Sequence, residues 1–265
     1  MDTTLSTVAG LATENYSSSV QTDRYASQDG RSVRSRPLMR RYEIAHLNSS
    51  NEIEDVKRLA PAVKAFEDCF GVLGRGAILQ TALGPTAVED LLPGDQVMTS
   101  SSGLQTLLWK GSMTLVPNYE TVRPESCSMT RIAADSFGLG RPTPDLVLGP
   151  AARILHKATG IRTLTGSDAA FIPAADFVDQ SQFISLTPAS PVNVYQIGFE
   201  QHERVSVNGI EVESLHPGAL HTLNLSPEYQ QLLMSLFPHK IAFGDFGSMI
   251  HPRLRLKDLD IFETI

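Results

Sequence analysis

Gly76-Ala77-Ile78-Leu79-Gln80-Thr81 runs through a Gly84-Pro85 turn into Val88-Glu89-Asp90-Leu91-Leu92-Pro93-Gly94-Asp95-Gln96-Val97. A short apolar run, a Gly-Pro break and a Pro-Gly-Asp turn predict two strands, Ala77–Thr81 and Gln96–Thr99, joined by a tight connection. Downstream the pattern repeats in short runs. Thr106–Met113, Thr130–Ile132, Leu146–Leu148, Thr163–Thr165, Phe183–Ser185, Val192–Phe199, Arg204–Val207 and Ile210–Val212 all read as strands. Asn208-Gly209 between the last two is the pair that suits a type I′ hairpin turn. Residues 133–145 read as a loop. Many short strands between frequent turns predict a mainly all-β fold, barrel or sandwich, rather than α/β.

Upstream, Tyr42, Ile44 and His46 alternate with Glu43 and Ala45, Asn48-Ser49-Ser50-Asn51 turns the chain, and Ile53–Val56 resumes it, which predicts a hairpin. Ala62–Phe70 is a short helix candidate with Val63, Phe66 and Phe70 on one face. Ser226, Pro227 and Pro238 predict a helix from an N-cap at Ser226 to about Phe237, with Leu232, Leu233 and Leu236 inward. Residues 1–38, rich in Ser and Thr with no apolar period, read as a disordered tail whose arginines are solvated. The expected segments are thus 1–38, a hairpin and helix over 39–71, a β domain over 72–238, and an irregular extension over 239–265.

The chain has 265 residues, 42% hydrophobic and 19% charged, enough for a core without disulfide staples. A formal charge of −7 disfavours nucleic acid as a partner. No run of eighteen apolar residues spans a membrane, and Met1–Leu5 lacks the start of a Sec signal, so a cytoplasmic location is the expectation. Cys69 and Cys127 are read as two reduced thiols, and no metal or cofactor is expected. His216 and His221 are poorly spaced for a metal. Gly74-Arg75-Gly76 lacks the third glycine of a dinucleotide fingerprint, and a strand follows it.

Three blocks together resemble a bacterial branch of the Hint (hedgehog/intein) domains. The first is residues 76–97, followed by Gln105 and Trp109-Lys110-Gly111. The second is Asp145-Leu146-Val147-Leu148-Gly149-Pro150-Ala151-Ala152-Arg153, similar to that branch's Asp-Leu-x-Val-Ser-Pro-x-His-Arg. The third runs from Val194-Tyr195-Gln196-Ile197 through His202-Glu203 to Glu213-Ser214-Leu215-His216-Pro217-Gly218. The resemblance covers roughly residues 72–238 and implies a Hint/intein-like, twisted antiparallel β-fold with short flanking helices. It also implies one chemistry, attack by a first-residue Cys or Ser on the preceding peptide carbonyl. A histidine of the second block assists by protonating the departing nitrogen.

Carried over by position, the nucleophile falls on Val72, the histidine on Ala152, and the closing His-Asn of inteins on Glu213-Ser214. None of the three positions supplies the required group. Cys69-Phe70 matches the family's Cys-Phe start three residues early, so Cys69 is the one candidate nucleophile. Its place three residues after Phe66 favours a buried structural thiol. Arg153 is expected to pair with a carboxylate and His202 to hold a structural hydrogen bond. The expected function is a Hint-domain protein that has lost autoprocessing and serves as a scaffold or interaction module for an unidentified protein partner. The alternative is a self-cleaving domain using Cys69. A separate enzyme on the same shell finds no constellation in the sequence. Val72, Ala152 and Ser214 should cluster in space with His202 nearby.

Overall fold

A computed structural model of the chain describes residues 38–117 and 127–259. The reading of residues 1–38 as a disordered tail therefore falls, up to Pro37, outside the described residues. The described residues belong to one compact unit. Its strands are β1 (Met39–Leu47), β2 (Ile53–Pro61), β3 (Leu73–Gly74), β4 (Ile78–Thr81), β5 (Gly84–Ala87), β6 (Gln96–Thr99), β7 (Gly103–Thr106), β8 (Trp109–Leu115), β9 (Met129–Ile132), β10 (Leu146–Leu148), β11 (Arg153–His156), β12 (Ala170–Pro173), β13 (Phe183–Leu186), β14 (Val192–Gly198), β15 (Arg204–Val207) and β16 (Ile210–Glu213). Three short helices flank them: α1 (Lys64–Glu67), α2 (Thr159–Thr165) and α3 (Pro227–Met234).

Every pairing between these strands is antiparallel. One sheet runs β13-β9-β10-β3-β14-β8-β1-β2, the other β12-β11-β16-β15-β4-β6-β7 with β5 against β4. The fold is thus the mostly antiparallel, Hint-like β architecture expected, with few and short helices. The Asn208-Gly209 turn has φ of 49° and 85°, both in the left-handed region that a type I′ turn demands.

The opening sequence phrase earns its residues one by one. Val88, Leu91 and Val97 are fully buried between the sheets. Glu89 Oε2 accepts the Gly76 N–H at 2.9 Å, and Asp95 Oδ2 accepts the Leu92 N–H at 2.8 Å. Gly94 turns at φ 103°, where a side chain would be strained. Lys110 reaches across from β8, and its ammonium donates to the carbonyls of Glu89 and Leu91.

A second core lies beneath β1, β8 and β14. Trp109 is fully buried there, its Nε1 donating to Leu236 O at 2.9 Å, with Phe70 and Phe237 rings 5.2 and 5.3 Å away. Gly111 makes this packing feasible, since a Cβ there would sit 2.2 Å from the Trp109 ring. Ser226 caps α3, accepting from Tyr229 N, with Pro227 in the first turn.

Some expectations fail. Thr163–Thr165, read as a strand, is the last turn of α2. Ile161 anchors that helix in a small cluster with Ala170, Ile172 and Leu259, and Gly166 closes it in the left-handed conformation. Two β-branched threonines carry too weak a preference to oppose that packing. The helix read over Ala62–Phe70 is regular only at Lys64–Glu67, and the one read to Phe237 ends at Met234. The run read as Thr106–Met113 is split between β7 and β8. The strands β3, β5, β11 and β12 were not anticipated. Each is four residues or fewer, too short to show a period.

Candidate functional site

The peptide bond between Gly71 and Val72 lies where three elements meet. After α1 the chain enters β3, which pairs β14 on one side and β10 on the other. Val72 N donates to Tyr195 O at 3.2 Å, and Val72 O accepts from Gly149 N at 2.7 Å. Gly71 O accepts from Ala151 N at 2.9 Å. Both sides of this peptide unit are therefore hydrogen-bonded as in a sheet. Gly149 allows the approach, because a Cβ there would lie 2.4 Å from Gly71 O.

Below this junction is a cavity of about 10 Å³, lined by Val72, Ala151 and Gln196 together with Asp68, Arg153, Glu213, Ser214, His216 and Arg253. That volume leaves room for about one water beside the side chains that line it. Glu213, at the end of β16, is the centre. Arg253 Nε donates to both of its oxygens, at 2.8 and 3.1 Å, and Arg253 Nη2 donates to His216 O at 2.6 Å. Arg153 Nη1 lies 3.6 Å from Glu213 Oε2, and Arg153 Nη2 lies 3.8 Å from Asp68. Burial pushes the Glu213 carboxyl up, but Arg253, then His202 and Arg153, pull it harder the other way, to about 2. Two guanidinium groups against two carboxylates leave the cluster balanced in charge.

The two histidines of this region are each fixed by a backbone contact. His202 Nδ1 accepts the Ile250 N–H at 3.2 Å, which leaves the ring proton on Nε2. Nε2 lies 3.2 Å from Glu213 Oε1 but makes no aligned hydrogen bond, so the contact is electrostatic. His216 Nδ1 accepts from Gly218 N and its Nε2 faces Gly247 O; burial lowers its basicity to about 4. Ser214 Oγ accepts the Glu203 N–H at 2.8 Å, and Ser214 N donates to Glu203 O, so its hydroxyl oxygen is tied into the hairpin.

The structure thus brings Val72, Arg153 and Ser214 to one cavity, with His202 behind Glu213. Ala152 sits between two lining residues but is itself buried in the core, its carbonyl accepting from Ala174 N. Cys69 faces elsewhere. Its thiol donates to Ala65 O at 3.4 Å within the second core, and burial pushes it up to about 12, assisted by Asp68 and opposed by Arg253 and Arg153. The sequence reading missed Asp68, Gln196, Arg253 and the central role of Glu213. Arg253 lies in a segment without strand or helix period, brought in by Phe171, whose N–H and carbonyl bond Pro252 O and Leu254 N. No local signal marks it. Among the described residues no cluster of His, Cys, Asp and Glu is arranged to hold a metal ion, and no helix is long and apolar enough to cross a membrane.

A family model described as "Hint domain" matches residues 69–219. Similar solved structures include a bacterial intein-like domain from Clostridium thermocellum, 13% identical over 54% of this chain and 98% of that one, with a TM-score of 0.35. Another is a splice-inactive form of the AceL NrdHF class 3 split intein, 10% identical over 55% and 98%, with a TM-score of 0.36. No curated protein matches the chain.

Proposed function

The chain belongs to the Hint-domain family, and from that premise we propose that it has lost self-cleavage and acts as a scaffold or interaction module for a protein partner. One observation carries the reading. The Gly71–Val72 peptide sits in the sheet with its carbonyl and N–H both bonded, and the chain supplies a valine where the reaction needs a nucleophile. An acyl shift needs a thiol or hydroxyl beside that carbonyl and an acid for the leaving nitrogen. Val72 offers no lone pair, Ala152 no proton, and the Val72 N–H is engaged with Tyr195 O. Arg253 and Glu213, bonded to each other, line the cavity beside Val72. A net charge of −7 supports protein over nucleic acid as the partner.

The alternative, cleavage through Cys69, draws on the family match beginning at that residue. Against it stand a buried thiol bonded to Ala65 O, held far from the thiolate form at neutral pH. Incubation of the purified chain with hydroxylamine or excess thiol, followed by denaturing mass spectrometry, separates the two. The expected outcome is one species of 28.9 kDa. A fragment ending at Asp68, abolished by Cys69→Ala, overturns the proposal. The spectrum must be taken denatured, because residues 38–71 are woven into the second core and a nicked chain would stay together.

A further inference from the structure

The edge of the first sheet points to a partner, whatever chemistry the site around Glu213 retains. Among the described residues β2 is the last strand of its sheet, paired with β1 on one side. The β1–β2 register pairs Leu47 with Ile53 and Met39 with Pro61. Just beyond its two ends, Asn48 N donates to Glu52 O and Ala62 N to Leu38 O. Hydrogen-bonded pairs alternate along an antiparallel ladder, so the even-numbered residues of β2 direct their backbone groups at β1. The N–H and C=O groups of Ile53, Asp55, Lys57 and Leu59 therefore point outward along the free edge. Ile53 is 46% and Leu59 67% exposed, so both large apolar side chains stand open to solvent at this edge.

The side chains of this edge are antisymmetric about Val56. The order is Ile53-Glu54-Asp55-Val56-Lys57-Arg58-Leu59, acidic before the centre and basic after it. We propose that β2 pairs antiparallel with β2 of a second copy of this chain, on a two-fold axis through Val56. In that register Val56 meets Val56, Asp55 meets Lys57, Glu54 meets Arg58 and Ile53 meets Leu59. Each outward-facing residue then bonds its counterpart through both backbone groups, because Asp55–Lys57 and Ile53–Leu59 fall on hydrogen-bonded positions. Ile53, Asp55, Lys57 and Leu59 share the outer face, and Glu54, Val56 and Arg58 the inner one, so every cross-strand pair lies on one face.

Charges on an edge strand usually block pairing. Here their order blocks only the wrong pairings. A parallel arrangement sets Asp55 against Asp55 and Lys57 against Lys57, and a two-residue slip also brings like charges together. The acidic-then-basic order therefore selects direction and register. Arg58 and Asp55 hold no salt bridge among the described residues, and Lys57 reaches the half-exposed Glu43, at 3.3 Å; Glu54 accepts from Asn48 Nδ2 at 2.7 Å and lies 3.6 Å from His46, so the Asp55–Lys57 pairs carry the selection. A single strand pair is a small interface, so the dimer should form on the order of micromolar concentration or above.

Sedimentation of the full chain from about 1 µM to about 1 mM tests this. The apparent mass should climb from 28.9 kDa toward twice that value. Asp55→Lys and Lys57→Asp alone should each weaken self-association roughly 10-fold or more, since like charges then oppose one another twice across the axis. An equimolar mixture of the two variants should recover it as a heterodimer, and the double variant as a homodimer. Both substitutions are on an exposed face, and thermal melts matching the parent's confirm that the variants fold. A parent mass fixed at 28.9 kDa throughout, the result also if another segment or protein covers the edge, overturns the proposal. A dimer indifferent to both charge changes, or a mixture that fails to recover it, overturns it equally.

Discussion

Residues 66–72 serve two unlike regions. Phe66, Cys69 and Phe70 turn into the aromatic core, where Phe70 lies 4.6 Å from Tyr42 and 5.2 Å from Trp109. Asp68 and Val72 turn the other way, toward the cavity around Glu213. The first region holds by volume and contact, which act without direction and do not depend on charge. The second holds by a few directed contacts between groups that would each be costly to bury alone. The contrast shows why Cys69 and Asp68, neighbours in the chain, have unlike surroundings. The helical turn gives Cys69 to the apolar side, where desolvation keeps its thiol protonated.

The comparison can be broken most sharply by Trp109→Ala. It should cost about 3–5 kcal/mol in urea or thermal unfolding, through lost contacts and a cavity that Phe70 and Phe237 cannot fill. The loss should be the same at pH 7 and pH 4.5. A loss under about 1 kcal/mol would mean that the second core is not close-packed around that ring.

Glu213→Gln tests the other side. It keeps the shape and leaves Arg253 and Arg153 without their central carboxylate, at a cost on the order of 3 kcal/mol near neutral pH. The pH dependence has a definite sign. The Glu213 carboxyl ionises at about 2 when folded and near 4.5 when free. A depressed carboxyl contributes fully above about 4.5 and loses its contribution as pH falls toward about 2. The stability difference between parent and variant should therefore be flat above pH 5 and shrink below 4.5. A difference unchanged down to pH 3 would show that shape, not charge, holds the site.

The smallest effect belongs to Asp68→Asn at the rim. Its carboxylate lies 3.8 Å from Arg153 and is a quarter exposed, so the cost should be about 0.2–1 kcal/mol and fall with added salt. A larger loss, insensitive to salt, would extend the buried character of the Glu213 cluster out to its rim.

Much of the fold was legible in the chain. The strands around 78–81, 96–99, 146–148, 192–198 and 204–213 are marked by apolar runs between Gly, Pro and Asn turns, which are local properties of a few consecutive residues. The N-cap at Ser226 and the Asn208-Gly209 turn are of the same kind. The phrase from Val88 to Asp95 was readable because its fixed bonds are local, as when Glu89 accepts from Gly76 and Asp95 from Leu92. The strands β5, β11 and β12 escaped because four residues carry too little periodicity to stand out from a loop. The threonine-rich end of α2 was misread because Ile161 and its distant partners Ala170 and Leu259 decide it.

The sequence by itself determined that this is a Hint-domain β-fold, and the resemblance alone assigned Val72, Ala152 and Ser214 to the positions of its chemistry. Only the tertiary structure decided what stands among them. Glu213 and Arg253 are 40 residues apart, and nothing in their neighbours links them. Their pairing follows from β12 holding Pro252 and Leu254 beside Phe171, which swings the guanidinium over β16. Whether Asp68 or Cys69 faces the cavity was settled in the same way, by the direction of one short helical turn against two cores. Such choices rest on long-range packing, where the free energy of a side chain depends on partners that the local sequence does not contain.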